Sequence, residues 1–335
     1  MSVSASAGGF SGEREGAGDS ERSDRIFGLV QERGAFAVLA VLVIICSFAF
    51  DGFLTGRNLE NILLHNSFLG LLVVGQTFVI ITGGIDLSVG ALVALGGVLA
   101  AQSSGRGWVV ALLFPILVCG AIGLLNGVLV AKARLAPFIV TLAALLGVRG
   151  WALLKSGSVT VPVPGAPALE SFGRGDILGI AAPVWIMLAA FAVGGLVLNR
   201  TRYGEALFAV GGGDAAARLA GVNVDRVKII AYVVSGTLAG LSGALLAGFL
   251  NAGQPLVGQQ FELYAIAAVV VGGTLLTGGA GSMAGSLAGL LLFGVLQNMI
   301  NLVGTLTSYV QQMVSGLFLI VVVTIQTYLA RKRAG

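Results

Sequence analysis

One histidine and two cysteines in 335 residues leave little from which to build a catalytic or metal centre. Hydrolytic triads and zinc sites need several His, Cys or acidic side chains at set spacings. His65 stands alone in an apolar stretch, with no Ser, Cys or acid at a useful distance, and reads as a satisfied core histidine. Neither GxxxxGKS nor GxxxxGKT occurs, so the phosphate-cradling loop of an ATPase is not encoded. No catalytic residue, no metal ligand and no bound cofactor is therefore expected. Cys46 and Cys119 sit within apolar runs, without disulfide or metal-ligand spacing, and read as small buried hydrophobes.

Charge is the second scarcity. Only 10% of residues are charged, against about 25% in a typical soluble domain. What fills the chain instead is 56% hydrophobic residues and 52 glycines, at a mean hydropathy of +0.98. That composition describes a polytopic membrane protein, in which backbone polar groups must be satisfied internally by helices or a closed barrel. Long continuous apolar runs select helices. The net charge of +4 does not imply a nucleic-acid partner, because the basic residues lie at the ends of apolar segments, where they orient a protein in a lipid bilayer.

Residues 1–34 are polar, Ser- and Gly-rich and of mixed charge, and predict a disordered cytoplasmic tail. Residues 35–335 read as one membrane domain. Its spans are expected near 35–50, 60–82, 86–102, 108–131, 137–154, 180–198, 228–250, 262–277, 283–301 and 308–329. The fold expected is thus an all-α, polytopic transmembrane helical bundle of about ten spans. With both termini in the cytoplasm, fourteen Lys and Arg fall on the inner side and five on the outer, as the positive-inside rule requires. The first run follows a long tail, not a short basic leader, and reads as a retained helix.

Two of these spans, 86–102 and 262–277, are short and are flanked by Gly-rich turns, Thr82-Gly83-Gly84 and Thr277-Gly278-Gly279. Aligning 82–95 (TGGIDLSVGALVAL) with 277–290 (TGGAGSMAGSLAGL) gives six identities in fourteen at a constant offset of 195. Repeats with Gly-interrupted spans in matching places point to a transport path at the repeat interface. In the first repeat, Asp86 or Ser88 can cap a new helix, and Asp86 is also an intramembrane acid, a candidate for the path or for coupling. Gln76, Asn126, Gln259, Gln297, Asn298 and Asn301 recur as neutral amides in or beside spans, with Glu262 opening another. Such groups either hold helices together or line a route for an uncharged, hydroxyl-rich solute. Arg149 is expected to snorkel to the interface or to meet a docked protein.

Several segments in order carry a family resemblance: GQTFVIITGGIDLSVGALVALGG, APFIVTLAALLGVRGWALL, PVWIM, ALFAVGGGDAAARLAGVNVDRVKIIAY and ELYAIAAVVVGGTLLTGGAGSMAGSLAGLLLFGVLQN. Together they resemble ribose-type monosaccharide ABC transporter permeases over nearly the whole chain after the tail. One departure is Tyr264, where the family usually has Asp. The resemblance implies a permease in the cytoplasmic (inner) membrane, working beside a second permease copy or sister subunit. An ABC ATPase holding ATP-Mg and a periplasmic or extracellular sugar-binding protein would be its partners.

The resemblance also makes the loop at about 199–228 the ATPase-coupling segment. Asp214 is expected to cap a short helix with Ala215–Ala220 as its body. Glu205, Arg218 and Asp225 are expected to make polar contacts with the ATPase, with Leu219 and Gly221 in the same segment. The competing reading is an ion-coupled secondary sugar carrier, which also uses repeats and broken helices. Such carriers hold an acid deep in the membrane, whereas Asp86 and Glu262 fall at expected span ends.

Overall fold

The computed structural model describes residues 34–163 and 167–304, with isolated helical positions between 310 and 324. The tail ahead of residue 34, the basic cluster at 331–333 and most of the span expected at 308–329 lie outside the described residues. Twelve α-helices follow one another in the described chain. They are α1 Gly34–Ala49, α2 Gly56–Ile81, α3 Val89–Ser103, α4 Trp108–Ala131, α5 Pro137–Ser156 and α6 Pro167–Arg174. After these come α7 Ala182–Arg200, α8 Arg202–Gly212, α9 Asp214–Leu219, α10 Val224–Leu250, α11 Phe261–Val271 and α12 Met283–Val303. Six of them, α2, α4, α5, α7, α10 and α12, are long and apolar enough to cross a membrane.

At 1.5 Å per residue, the fifteen residues of α3 rise about 22 Å, short of a hydrocarbon core of about 30 Å. Its sequence, VGALVALGGVLAAQS, has no polar face, and a helix apolar all round has to be covered on every side. Accordingly, all of α3 except Gln102 is buried, beneath α4, α5 and α10. The second short span ends sooner than expected: α11 stops at Val271, because Gly272, Gly273 and Thr274 close it in a turn.

The packing of α4 on α10 is close because glycines face glycines. A Cβ on Gly240 would lie 2.8 Å from the Pro115 carbonyl, and one on Gly236 would meet the Cys119 carbonyl and Gly123. Small residues at such seams let helix backbones approach, which replaces the hydrophobic drive absent between helices in lipid. Both cysteines are free and buried, as expected. His65, expected in the core, is instead exposed and edge-on to Phe249, with ring centroids 6.0 Å apart. The sequence is apolar around it, but that face of α2 is one its neighbours do not cover.

Beyond the helices, one end of the bundle carries two short antiparallel pairs, β1 Val161–Pro162 with β4 Ala252–Gly253 and β2 Asp176–Ile177 with β3 Ile180–Ala181. Helix α6 packs there on α10, burying Leu169 with Ala244 and Ala247. Arg174 donates to the Phe249 carbonyl and lies over the Phe249 ring. Arg149 neither snorkels nor stands free for a partner. Its guanidinium donates to the carbonyls of Pro255 and Val257, each at 2.8 Å, tying α5 to the segment before α11.

Gly123→Val should therefore destabilise the purified protein by about 1–3 kcal/mol, the cost of overpacking a tight seam. Gly147→Val, where a Cβ would meet nothing within 4 Å, should be close to neutral. Thermal unfolding in detergent, followed by size-exclusion chromatography, distinguishes the two.

Candidate functional site

Between α2 and α3 the chain leaves helical structure from Thr82 to Ser88, and this break is held by a buried polar knot. Asp86 is fully buried. One carboxylate oxygen accepts the Ser88 amide at 3.0 Å and the Ser88 hydroxyl at 2.6 Å; the other accepts the Ser235 hydroxyl of α10 at 2.8 Å. The Ser88 hydroxyl in turn accepts from the Asn126 amide of α4 at 3.1 Å. Gln76 of α2 donates to the Asp86 carbonyl, and its own side-chain oxygen is buried without a partner among the described residues. The Ile85 carbonyl accepts from the Tyr232 hydroxyl at 3.3 Å and the Thr141 hydroxyl at 3.2 Å.

One expectation changes here. Asp86 does not cap α3: Ser88 is the cap residue, with no side-chain cap bond, and Asp86 instead closes a turn onto the Ser88 amide. Asp86 does lie at the span end, just ahead of α3, and is buried there. Burying a carboxylate costs several kcal/mol unless donors replace water, and three donors do so here. Gln76, Asp86, Ser88 and Asn126, singled out separately in the sequence, therefore meet in one place, but they reach no surface. In this structure the knot frames the break between α2 and α3.

The remaining candidates lie apart from it. Gln259 and Asn301 are exposed, and Gln297 is half-buried on α12. Glu262 is half-buried in the first turn of α11, where a Cβ on Gly90 would run into its carboxylate. Asn298 forms a reciprocal amide pair with Asn58, at 3.1 and 2.8 Å, joining α12 to the start of α2. Sequence reasoning missed Tyr232, Ser235, Thr141 and Asn58. Tyr232 and Ser235 were legible in principle, since with Ser242 they recur at helical spacing along one face of α10, all buried.

The two Gly-rich breaks touch. The Gly279 amide donates to the Ile81 carbonyl at 2.9 Å, and a Cβ on Gly278 would lie 2.7 Å from the Gly83 amide nitrogen. Against this junction packs the end of α8: a Cβ on Gly211 would collide with the Ile81 carbonyl and the Gly279 amide. Thr201 caps α8, accepting the Gly204 amide at 3.3 Å. Leu207 and Val210 are buried, and Tyr203 donates to the Val227 carbonyl at 3.1 Å. Burial pushes the Tyr203 phenol above its ordinary range, so it stays a neutral donor.

Helix α9 then stands out from the bundle. Asp214 is its first residue, behind Gly213, and makes no cap; it pairs with Lys228 at 2.6 Å. Arg218 pairs with Asp225 at 2.5 Å, so two of the residues expected to reach a partner are engaged with each other. Gly221, at φ +82°, closes the turn after α9 in the left-handed region that glycine adopts readily. Glu205 is exposed on α8, and Leu219, 92% exposed, is left as an apolar tip.

The described helices thus form an all-α membrane bundle with abutting helix breaks and an outstanding helical loop. A family profile described as "Branched-chain amino acid transport system / permease component" matches residues 58–323. The ribose import permease protein RbsC of Bacillus subtilis is 40% identical over 311 residues, covering 92% of this chain and 95% of the relative. RbsC of Escherichia coli K12 is 40% identical over 301 residues, covering 88% and 94%. The L-arabinose ABC transporter permease protein AraH of Azospirillum brasilense is 36% identical over 310 residues, covering 92% and 91%. The chain belongs to this family of transport-system permease components.

Asp86→Ala, which strips three buried donors of their acceptor, should cost about 3 kcal/mol or more. Asp86→Asn keeps an acceptor for Ser88 and should cost less than half as much if the acid serves the fold. Chemical denaturation of the two variants in detergent checks the ranking.

Proposed function

We propose that this chain is the membrane permease of an ATP-driven sugar importer in the inner membrane. It makes ten passes, including the short α1, α3 and α11 and the final span, with both termini in the cytoplasm. The fourteen-to-five distribution of Lys and Arg supports that orientation. The ribose and L-arabinose named for the relatives make a monosaccharide the substrate class. ATP-Mg is bound and hydrolysed by a separate ABC ATPase, and a sugar-binding protein delivers the solute to the outer face.

The observation that carries the coupling is the wedge of Gly211 against both breaks. The ATPase grips Leu219 at the end of α9, with Glu205 on the rim. Its ion pairs, Asp214 with Lys228 and Arg218 with Asp225, hold α9 firmly on α10. Closure of the ATPase then moves α8–α9 as one lever, and Gly211 transmits the push to the end of α2 and to the turn between α11 and α12. The path runs between two permease copies, lined by Gln259, Glu262, Gln297 and Asn301, which the core of a single copy leaves at least partly uncovered. Neutral amides suit a sugar, because they bind weakly and let go. Depth in the membrane alone does not make Asp86 an ion site, since its carboxylate is already engaged by Ser88 and Ser235.

Uptake of labelled ribose and L-arabinose by cells expressing the chain with its ATPase and binding protein tests this. Leu219→Asp should lower both ATPase association and uptake about tenfold, since it puts a charge into a docking pocket. Gly211→Val should leave the ATPase bound but abolish most uptake. Ion-gradient-driven uptake by the chain alone, indifferent to both changes, would replace the importer with a secondary carrier.

A further inference from the structure

At the end of the bundle opposite α8 and α9, a cavity of about 270 Å³ opens between α3, α4 and α5. Its lining is divided by chemistry. Arg106, in the turn between α3 and α4, and Lys155, in the last turn of α5, supply two cations at the end of the helices. Leu99, Phe114, Val118 and Trp151 form apolar walls further along them. Phe114 and Trp151 are 42% and 38% exposed, so the cavity opens sideways. A hydrogen bond from Gln102 to the Lys155 carbonyl, at 2.5 Å, fixes α5 beside α3 at the mouth.

Among the described residues, neither cation pairs with an acid. The two ion pairs among the described residues lie in the α8–α10 region, and none of the eight lining residues is acidic. A lone cation at a helix end serves orientation, but two converging on one mouth above a greasy slot match an amphiphile with an anionic head. The charge, the sideways opening and the length of the apolar wall fit one molecule together. We propose that this cavity is a binding site for an anionic phospholipid, its phosphate between Arg106 and Lys155 and an acyl chain along Leu99, Phe114 and Val118. A zwitterionic lipid carries its own ammonium group, which the same two cations repel.

Native mass spectrometry of the full chain with its ATPase, delipidated and titrated with phosphatidylglycerol or phosphatidylcholine, tests this. Phosphatidylglycerol should be retained about thirtyfold better. Each cation near a headgroup contributes roughly fivefold, so Arg106→Gln with Lys155→Gln should cut its retention about thirtyfold, to the level of phosphatidylcholine. Arg106→Lys with Lys155→Arg should preserve it, as should Arg57→Gln, which removes an exposed cation elsewhere. Equal retention of the two lipids, or no loss in the double Gln variant, would overturn the proposal. So would displacement of phosphatidylglycerol by millimolar inorganic phosphate, which would mark a free-phosphate site. Loss of binding-protein affinity without loss of lipid would assign the cations to protein docking instead.

Discussion

A helix interrupted inside a hydrocarbon slab uncovers carbonyls and amides that no solvent can satisfy, and everything around residues 82–88 answers that demand. Two carbonyls released by the break are matched by helix side chains: Gln76 to the Asp86 carbonyl, Tyr232 and Thr141 to the Ile85 carbonyl. Asp86 supplies the acceptor for the Ser88 amide and draws Ser235 and, through Ser88, Asn126 into the same cluster. The knot thus locks α2, α3, α4, α5 and α10 together at one point. A carboxylate there is costly to bury, but removing it would strand more groups than it now strands itself.

Glycine performs the complementary task at the neighbouring junction. Where the knot joins helices through side chains, Ile81, Gly83, Gly211, Gly278 and Gly279 bring three chain segments together backbone to backbone. Side chains flex through rotamers, whereas backbones in contact transmit displacement directly. The internal repeat therefore matters mechanically: its two turns are the two halves of one joint, and the end of α8 rests on both.

Much of this architecture was legible because membrane burial writes a strong signal. The starts of α4, α5 and α12 follow from apolar runs, from Pro137 and from the cap at Ser282. The early end of α11 was legible but missed: Gly272 and Gly273 stop the helix, and Gly273, at φ +97°, takes the left-handed conformation that glycine adopts readily. Site residues divided in the same way. Gln76, Asp86, Ser88 and Asn126 stood out as polar groups in apolar surroundings, yet whether such groups face a path or each other is decided by helix rotation, which hydropathy does not encode. Tyr232 and Ser235 went unnoticed because hydroxyls are commonplace in membrane helices, where they satisfy their own backbone.

The short helix α9 carries the most instructive reversal. Arg218 and Asp225, with Glu205, look like a polar docking rim, but a surface ion pair contributes about 0.2–1 kcal/mol and holds a partner poorly. Spent internally, the two pairs do something better suited to them: they fix a six-residue helix too short to hold its shape alone. That leaves Leu219 as the group with free energy to give. Burying one leucine in a partner's pocket is worth about 1.5–3 kcal/mol, enough to bias a contact and too little to make it permanent. In the proposed coupling, a lever gripped through every cycle of nucleotide turnover needs stiffness within itself and modest adhesion at its tip, and the division between paired charges and a bare apolar end is suited to both.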